Sequence, residues 1–218
     1  MIKEAAVFFT PLYNRSIELL IAPTQNFEMI WFVVPLIIIT LLMTFYFARY
    51  TYEELGWNTA VGNSLVLIFI SIDLLRYLFN LSDPSSFQNY LIHWTETMVV
   101  LGVAIEGILL LYTNFLHFLP KRVAFFISSP LPVNLTAYVV MAIVYTEVPI
   151  EWITLWAALA IFLVLFTTLS LLKHLLHWQI ERIHEVQKEE EKEAKIKKKI
   201  EEEVERSENK KKKVKLKK

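Results

Sequence analysis

Asp73, Arg76, Glu96 and Glu106 are charged residues set inside long apolar stretches, and their types and spacing could line a polar path through a membrane. A charge near the centre of a bilayer costs at least about 2.5 kcal/mol on insertion scales, so each one needs a partner or wet surroundings. Asp73 and Arg76 precede the end of one apolar stretch at Leu81, and Glu96 follows closely on the start of the next at Tyr90. If the two stretches form a helical hairpin, these three residues share one half of the bilayer. That placement predicts an ion pair between Arg76 and Glu96, with Asp73 one turn from Arg76. Asp73, Tyr77 and Asn80 then fall on one stripe, and Glu96, Val99, Val103 and Glu106 on the stripe facing it. Glu106 has no basic residue at its own depth. It can carry a proton or coordinate a cation, or it can hydrogen-bond to Asn63 or Ser64. A path of this kind competes with a simpler reading, in which one ion pair fixes the register of two adjacent helices.

Two further groups bear on chemistry. Pro130, Pro132 and Asn134 interrupt an apolar stretch, and prolines two residues apart remove backbone donors and obstruct a regular helix. Irregular backbone at membrane depth survives only against protein or a wet cavity, so a kinked or broken span is expected there. His174, His177, Glu181 and His184 step along one helix face and contain an E-x-x-H. Metal sites in helical bundles need a second such motif and further carboxylates, and the chain contains neither. These residues are weak metal candidates, and no metal or cofactor is expected. No P-loop, H-E-x-x-H, G-x-S-x-G or dinucleotide glycine motif occurs, which argues against an enzyme.

The elements that must position these residues are long apolar runs. Met29 to Ala48 holds twenty uncharged residues, and at about 1.5 Å per residue such a helix matches a hydrocarbon core of roughly 30 Å. Further spans are expected over Trp57 to Leu81, Tyr90 to Leu119, Val123 to Thr146 and Trp152 to Leu172. The third is about thirty residues long and must tilt or protrude as a single helix. Before the first span, Thr10 and Pro11 can open an interfacial helix through Ala22. The short run Ala5 to Phe9 is not a cleaved signal. The fold class is therefore all-α: a polytopic helical membrane protein with about five transmembrane helices and a long charged cytosolic helix. It divides into an N-terminal interfacial segment (1–27), a transmembrane domain (28–172), a charged helix (173–209) and a Lys-rich disordered tail (210–218).

Charge is distributed just as unevenly. The 218 residues are 55% hydrophobic, lack cysteine and carry a formal net charge of +0, yet residues 1–172 hold 6 Lys/Arg against 11 Asp/Glu and residues 173–218 hold 16 against 11. The body is thus −5 and the tail +5. The missing cysteines exclude disulfides and thiolate chemistry. Acid-first pairs at i, i+4, such as Glu191 with Lys195, favour a solvated helix in the tail, whereas its apolar seam is too broken for a coiled coil. Lys210 to Lys218, with seven lysines, would attract anionic lipid or ribosomal RNA. The positive-inside bias places the C-terminus in the cytoplasm and the N-terminus outside the cell membrane, with Lys3 and Arg15 as a mild contradiction. The role that follows is a non-enzymatic anchor or scaffold whose tail binds a cytosolic protein, the ribosome or anionic lipid. The alternative is a small ion- or proton-coupled transporter or channel, in either case with homo-oligomers possible.

Overall fold

A computed structural model describes residues 2–50, 52–82 and 85–215, with the side chains of 9–50, 52–82, 85–183 and 185. Residues 1–173 and 174–218 form two separate units. Every regular element described is an α-helix: α1 (Ile2–Gln25), α2 (Phe27–Arg49), α3 (Trp57–Phe79), α4 (Gln88–Ile92), α5 (Trp94–Phe115), α6 (Lys121–Ile127), α7 (Pro130–Thr146) and α8 (Trp152–Lys215). Five helical segments, Phe27–Arg49, Trp57–Phe79, Trp94–Phe115, Lys121–Thr146 and Trp152–Ile183, are long and apolar enough to cross a membrane, as an integral membrane protein requires.

Local chemistry explains where these helices begin and end. Asn26 caps α2, its side-chain oxygen accepting from the Glu28 amide at 3.0 Å, while Glu28 in the first turn and Arg49 in the last oppose the helix dipole. Pro130 occupies the first turn of α7, where its missing amide hydrogen has no intrahelical partner to lose. Glu147 ends α7 in the left-handed region at φ 54°, and His117 takes the same conformation just after α5.

Four expectations change. The N-terminal helix does not start at Pro11; α1 runs through both Pro11 and Pro23, although each removes a backbone hydrogen bond and crowds the carbonyl four residues earlier. The stretch Tyr90 to Leu119 is not one thirty-residue helix. It breaks at His93, whose ψ of 50° is not helical, and α5 stops at Phe115, so neither tilt nor protrusion is needed. The fourth span is broken, but at Ser128 and Ser129 rather than at Pro130, Pro132 or Asn134, which all lie within α7. In the C-terminal region the bounds of α8 reach Lys215, so residues 210–215 are helical where disorder is expected; residues 216–218 lie outside those described.

In the first unit, α3 packs most extensively on α5, and α7 lies against α1, α2, α3 and α5. α7 is accordingly the most enclosed helix, with every residue from Val140 to Tyr145 buried, as befits a helix apolar on all sides. α2 buries only Met29, Val33, Leu36 and Ala48 and turns Val34, Ile37, Ile38 and Leu42 outward, as a helix solvated by lipid would. Where α5 crosses α3, Gly107 sits so close that a β-carbon there would lie 2.9 Å from Ile68 Cγ1 and 3.0 Å from Leu67 Cβ. This crossing fixes which way the charged residues of both helices face.

Candidate functional site

The four charged residues set in apolar helices do not converge. Arg76 turns back along its own helix and donates to Asp73 Oδ1 from Nη2 at 2.6 Å and from Nε at 3.1 Å. The predicted pair between Arg76 and Glu96 is absent. The reason is geometric: an acid three residues earlier lies on the same face one turn away, so it reaches the guanidinium without crossing between helices. Glu96 accepts from the neighbouring Thr95 hydroxyl at 3.1 Å instead. Asp73 gains a partner that sequence reasoning missed, the Tyr145 hydroxyl of α7, which donates to Oδ2 at 3.1 Å. Asp73 is 18% exposed and Arg76 70%, so the carboxylate is held within the bundle while the guanidinium leans out of it.

Glu106 stands apart from that group. It is exposed on the outer side of α5 and lines an open recess of 390 Å³ with Gly102, Ile105, Leu109, Thr113 and Leu119. No hydrogen bond or ion pair reaches it from the described residues. Asn63 and Ser64, its expected partners, are committed elsewhere. Asn63 Nδ2 donates to the Ser128 carbonyl at 2.7 Å, and the Ser64 hydroxyl donates to the Ala60 carbonyl at 2.9 Å.

Those bonds belong to a polar network that explains the broken span. Asn114, fully buried on α5, donates to Ser128 Oγ at 2.7 Å and to Ser64 Oγ at 3.1 Å. The Ser128 carbonyl, left free where α6 stops, thus finds Asn63, and its hydroxyl finds Asn114. Side chains of α3 and α5 thus supply partners at the gap, as buried backbone polar groups require. Asn134 does similar work toward α2, donating to Thr40 Oγ1 at 2.8 Å and to the Leu36 carbonyl at 3.2 Å. The signal for this network is present in the sequence as uncharged polar residues within apolar runs, Asn114 and Ser128 among them, but residue type alone does not say which of them meet.

The histidine face belongs to the second unit. His177 Nε2 lies 3.1 Å from Glu181 Oε1, while the side chain of His184 lies outside those described. Among the described residues no group of three metal-ligating side chains converges, and His174 is not part of the His177 contact.

Contacts also sort the loops of the first unit. Arg15, 13% exposed, bridges Glu18 at 2.9 Å and Glu151 at 3.1 Å, and Asn26 Nδ2 donates to the Tyr145 carbonyl at 3.2 Å. The start of α2, the end of α7 and the start of α8 therefore share one end of the bundle. Lys121 Nζ meets Glu54 at 2.5 Å, which joins the loop after α2 to the turn before α6. That bond holds the Glu54 carboxyl below its ordinary range. Beside this bridge opens a groove of 630 Å³ bounded by the end of α2, the α6–α7 break and the part of α8 before Lys173. Compared with known proteins, the chain matches no family model, and neither a curated protein nor a solved structure is significantly similar to it.

Proposed function

We propose that this chain is a non-enzymatic anchor or scaffold of the cell membrane whose charged C-terminal segment recruits a cytosolic protein or the ribosome, or binds anionic lipid. The observation that carries this reading is the dispersal of the intramembrane charges. Arg76 is satisfied by Asp73 on its own helix and Glu96 by Thr95, so neither is left to line a path. Between α3, α5 and α7 the fully buried polar side chains among those described are uncharged, and the amide donors of Asn63 and Asn114 bond to a carbonyl and to hydroxyls. A tail with +5 net charge, ending in seven lysines among nine residues, supplies the attraction for an acidic surface.

The orientation we assign has the C-terminus in the cytoplasm and the N-terminus outside. The bridge between Glu54 and Lys121 supports it by joining two loops assigned to one side, and Arg15, otherwise an external cation, is offset by Glu18 and Glu151. Deleting residues 185–218 tests recruitment. The truncated protein should lose the partners or vesicle binding of the intact chain, and full retention of both would refute the proposal.

One observation favours transport as the second reading. Glu106 faces a recess without a partner among the described residues, and an intramembrane carboxylate in that state is a proton or cation site by default. Reconstituted protein would then show a pH- or ion-dependent flux that disappears in Glu106→Gln. Undiminished flux in that variant removes the residue from consideration.

A further inference from the structure

The groove between α2, the α6–α7 break and α8 combines two features that seldom meet by accident. Its trough is apolar and aromatic, formed by Met43, Phe47, Phe125, Phe162, Phe166 and Leu169. Its mouth is charged, with Lys121, Arg122 and Lys173 as cations against Glu53 and Glu54. These five residues lie where helices leave the apolar stretch: after the end of α2, at the start of α6, and where the uncharged part of α8 stops. The mouth therefore sits at headgroup level and the trough at acyl-chain level, whichever side of the membrane this end faces.

The charges at the mouth are only partly compensated. Glu54 is taken by Lys121, and Glu53 accepts the Tyr46 hydroxyl. Arg122 and Lys173 have no carboxylate in bridging distance among the described residues. Lys173 instead lies over the Phe47 ring, 5.9 Å from its centroid, as Lys121 lies over Phe125 at 5.6 Å, so both ammonium groups are held against the trough walls. The Ser170 hydroxyl adds a polar group on the α8 side with no partner among the described residues. The volume of 630 Å³ falls within the range of about 300–1,000 Å³ typical of small-molecule sites.

We propose that this groove is a specific site for an acidic phospholipid, its phosphate held by Arg122 and Lys173 and one acyl chain lying along the trough. A zwitterionic lipid would bring its own ammonium group beside these two uncompensated cations, whereas an acidic phospholipid brings only its phosphate. A water-soluble anion would leave the aromatic trough unfilled. The site rests on the membrane embedding of the apolar helices and is separate from the tail, so the two can fail independently.

Native mass spectrometry of the full-length protein in detergent, with phosphatidylglycerol, phosphatidylcholine or inorganic phosphate added, tests the assignment. One phosphatidylglycerol should bind ahead of any phosphatidylcholine. Removing a cation close to a lipid phosphate lowers affinity about fivefold, so the double variant Arg122→Gln/Lys173→Gln should lose roughly 25-fold for that first lipid. Neutralising two tail lysines, Lys211→Gln/Lys212→Gln, should change it less than twofold. Ser170→Trp, which fills the trough while sparing the cations, should also displace the lipid. Inorganic phosphate should not compete. Equal retention of phosphatidylglycerol by wild type and both groove variants would overturn the site, as would equal binding of phosphatidylcholine or displacement by phosphate.

Discussion

Replacing Gly107 with alanine should destabilise the bundle, whereas the same change at Gly102, five residues earlier on α5, should not. A β-carbon at Gly107 would stand 2.9 Å from Ile68 Cγ1, 3.0 Å from Leu67 Cβ and 3.2 Å from the Ile68 backbone nitrogen. Ile68 Cγ1 can rotate away, but Leu67 Cβ and the Ile68 nitrogen move only with α3 itself. The helices would have to separate by several tenths of an ångström along their most extensive contact. Overpacking of this kind typically costs about 1–3 kcal/mol. At Gly102 a β-carbon meets nothing within 4 Å. Both substitutions share the gain in helix propensity of about 1 kcal/mol, so the difference between the variants isolates the steric term. At about 2–4 °C per kcal/mol for a chain of this size, Gly107→Ala should unfold roughly 2–12 °C below Gly102→Ala. Thermal unfolding in one detergent, followed by tryptophan fluorescence, measures it. If Gly107→Ala melts at or above Gly102→Ala, the close crossing of α3 and α5 is wrong, and with it the outward facing of Glu106.

Three other outcomes follow from the same contacts. A double-mutant cycle of Asp73→Asn with Tyr145→Phe should give a coupling of about 0.6–1.5 kcal/mol, while Arg76→Gln with Glu96→Gln should show none; coupling in the second cycle would restore the interhelical ion pair. Asn134→Leu removes the bonds to Thr40 and the Leu36 carbonyl but strands no donor, because the Thr40 hydroxyl still donates to Leu36. It should cost about 1 kcal/mol, seen as a fall of roughly 2–4 °C in the melting temperature; an unchanged melting temperature would mean that Asn134 does not tie α7 to α2. Glu54 contributes through a carboxyl held below its ordinary value of 4.5 by the hydrogen bond from Lys121. Its contribution is present in full above pH 4.5 and disappears as pH falls through the lower, folded-state value, so the melting-temperature gap between wild type and Glu54→Gln should close only under acidic conditions. A gap that persists well below that range would assign the effect to something other than the ion pair.

Much of the architecture is local in origin and so could be read from order and composition. The apolar runs that became α2, α3 and the first part of α8 are set by length and hydropathy, and their ends fall within a few residues of those expected, at Arg49, Trp57 and Trp152. The presence of a break in the fourth span was equally legible, because Ser128, Ser129, Pro130 and Pro132 stand together in an apolar region. Its exact place was not. Proline is tolerated in the first turn of a helix, and whether Pro130 opens α7 or ends α6 depends on whether the Ser128 carbonyl finds a donor from elsewhere, here Asn63.

Partner choice was likewise beyond the linear chain. Spacing alone suggests that Asp73, Arg76 and Glu96 share one end of a helical hairpin, but spacing does not set rotation about a helix axis. The rotation of α5 follows from Gly107 and Asn114, which must face α3; that turns Glu106 outward and leaves Arg76 to Asp73. The groove has the same origin. Lys121, Arg122 and Lys173 are ordinary basic residues at the ends of apolar runs until the bundle sets them around one aromatic trough, a juxtaposition of residues far apart in the chain that only packing creates. Sequence determined which segments form long apolar helices; tertiary structure decided which of their polar groups meet, because hydropathy is a property of each residue and contact is a property of pairs.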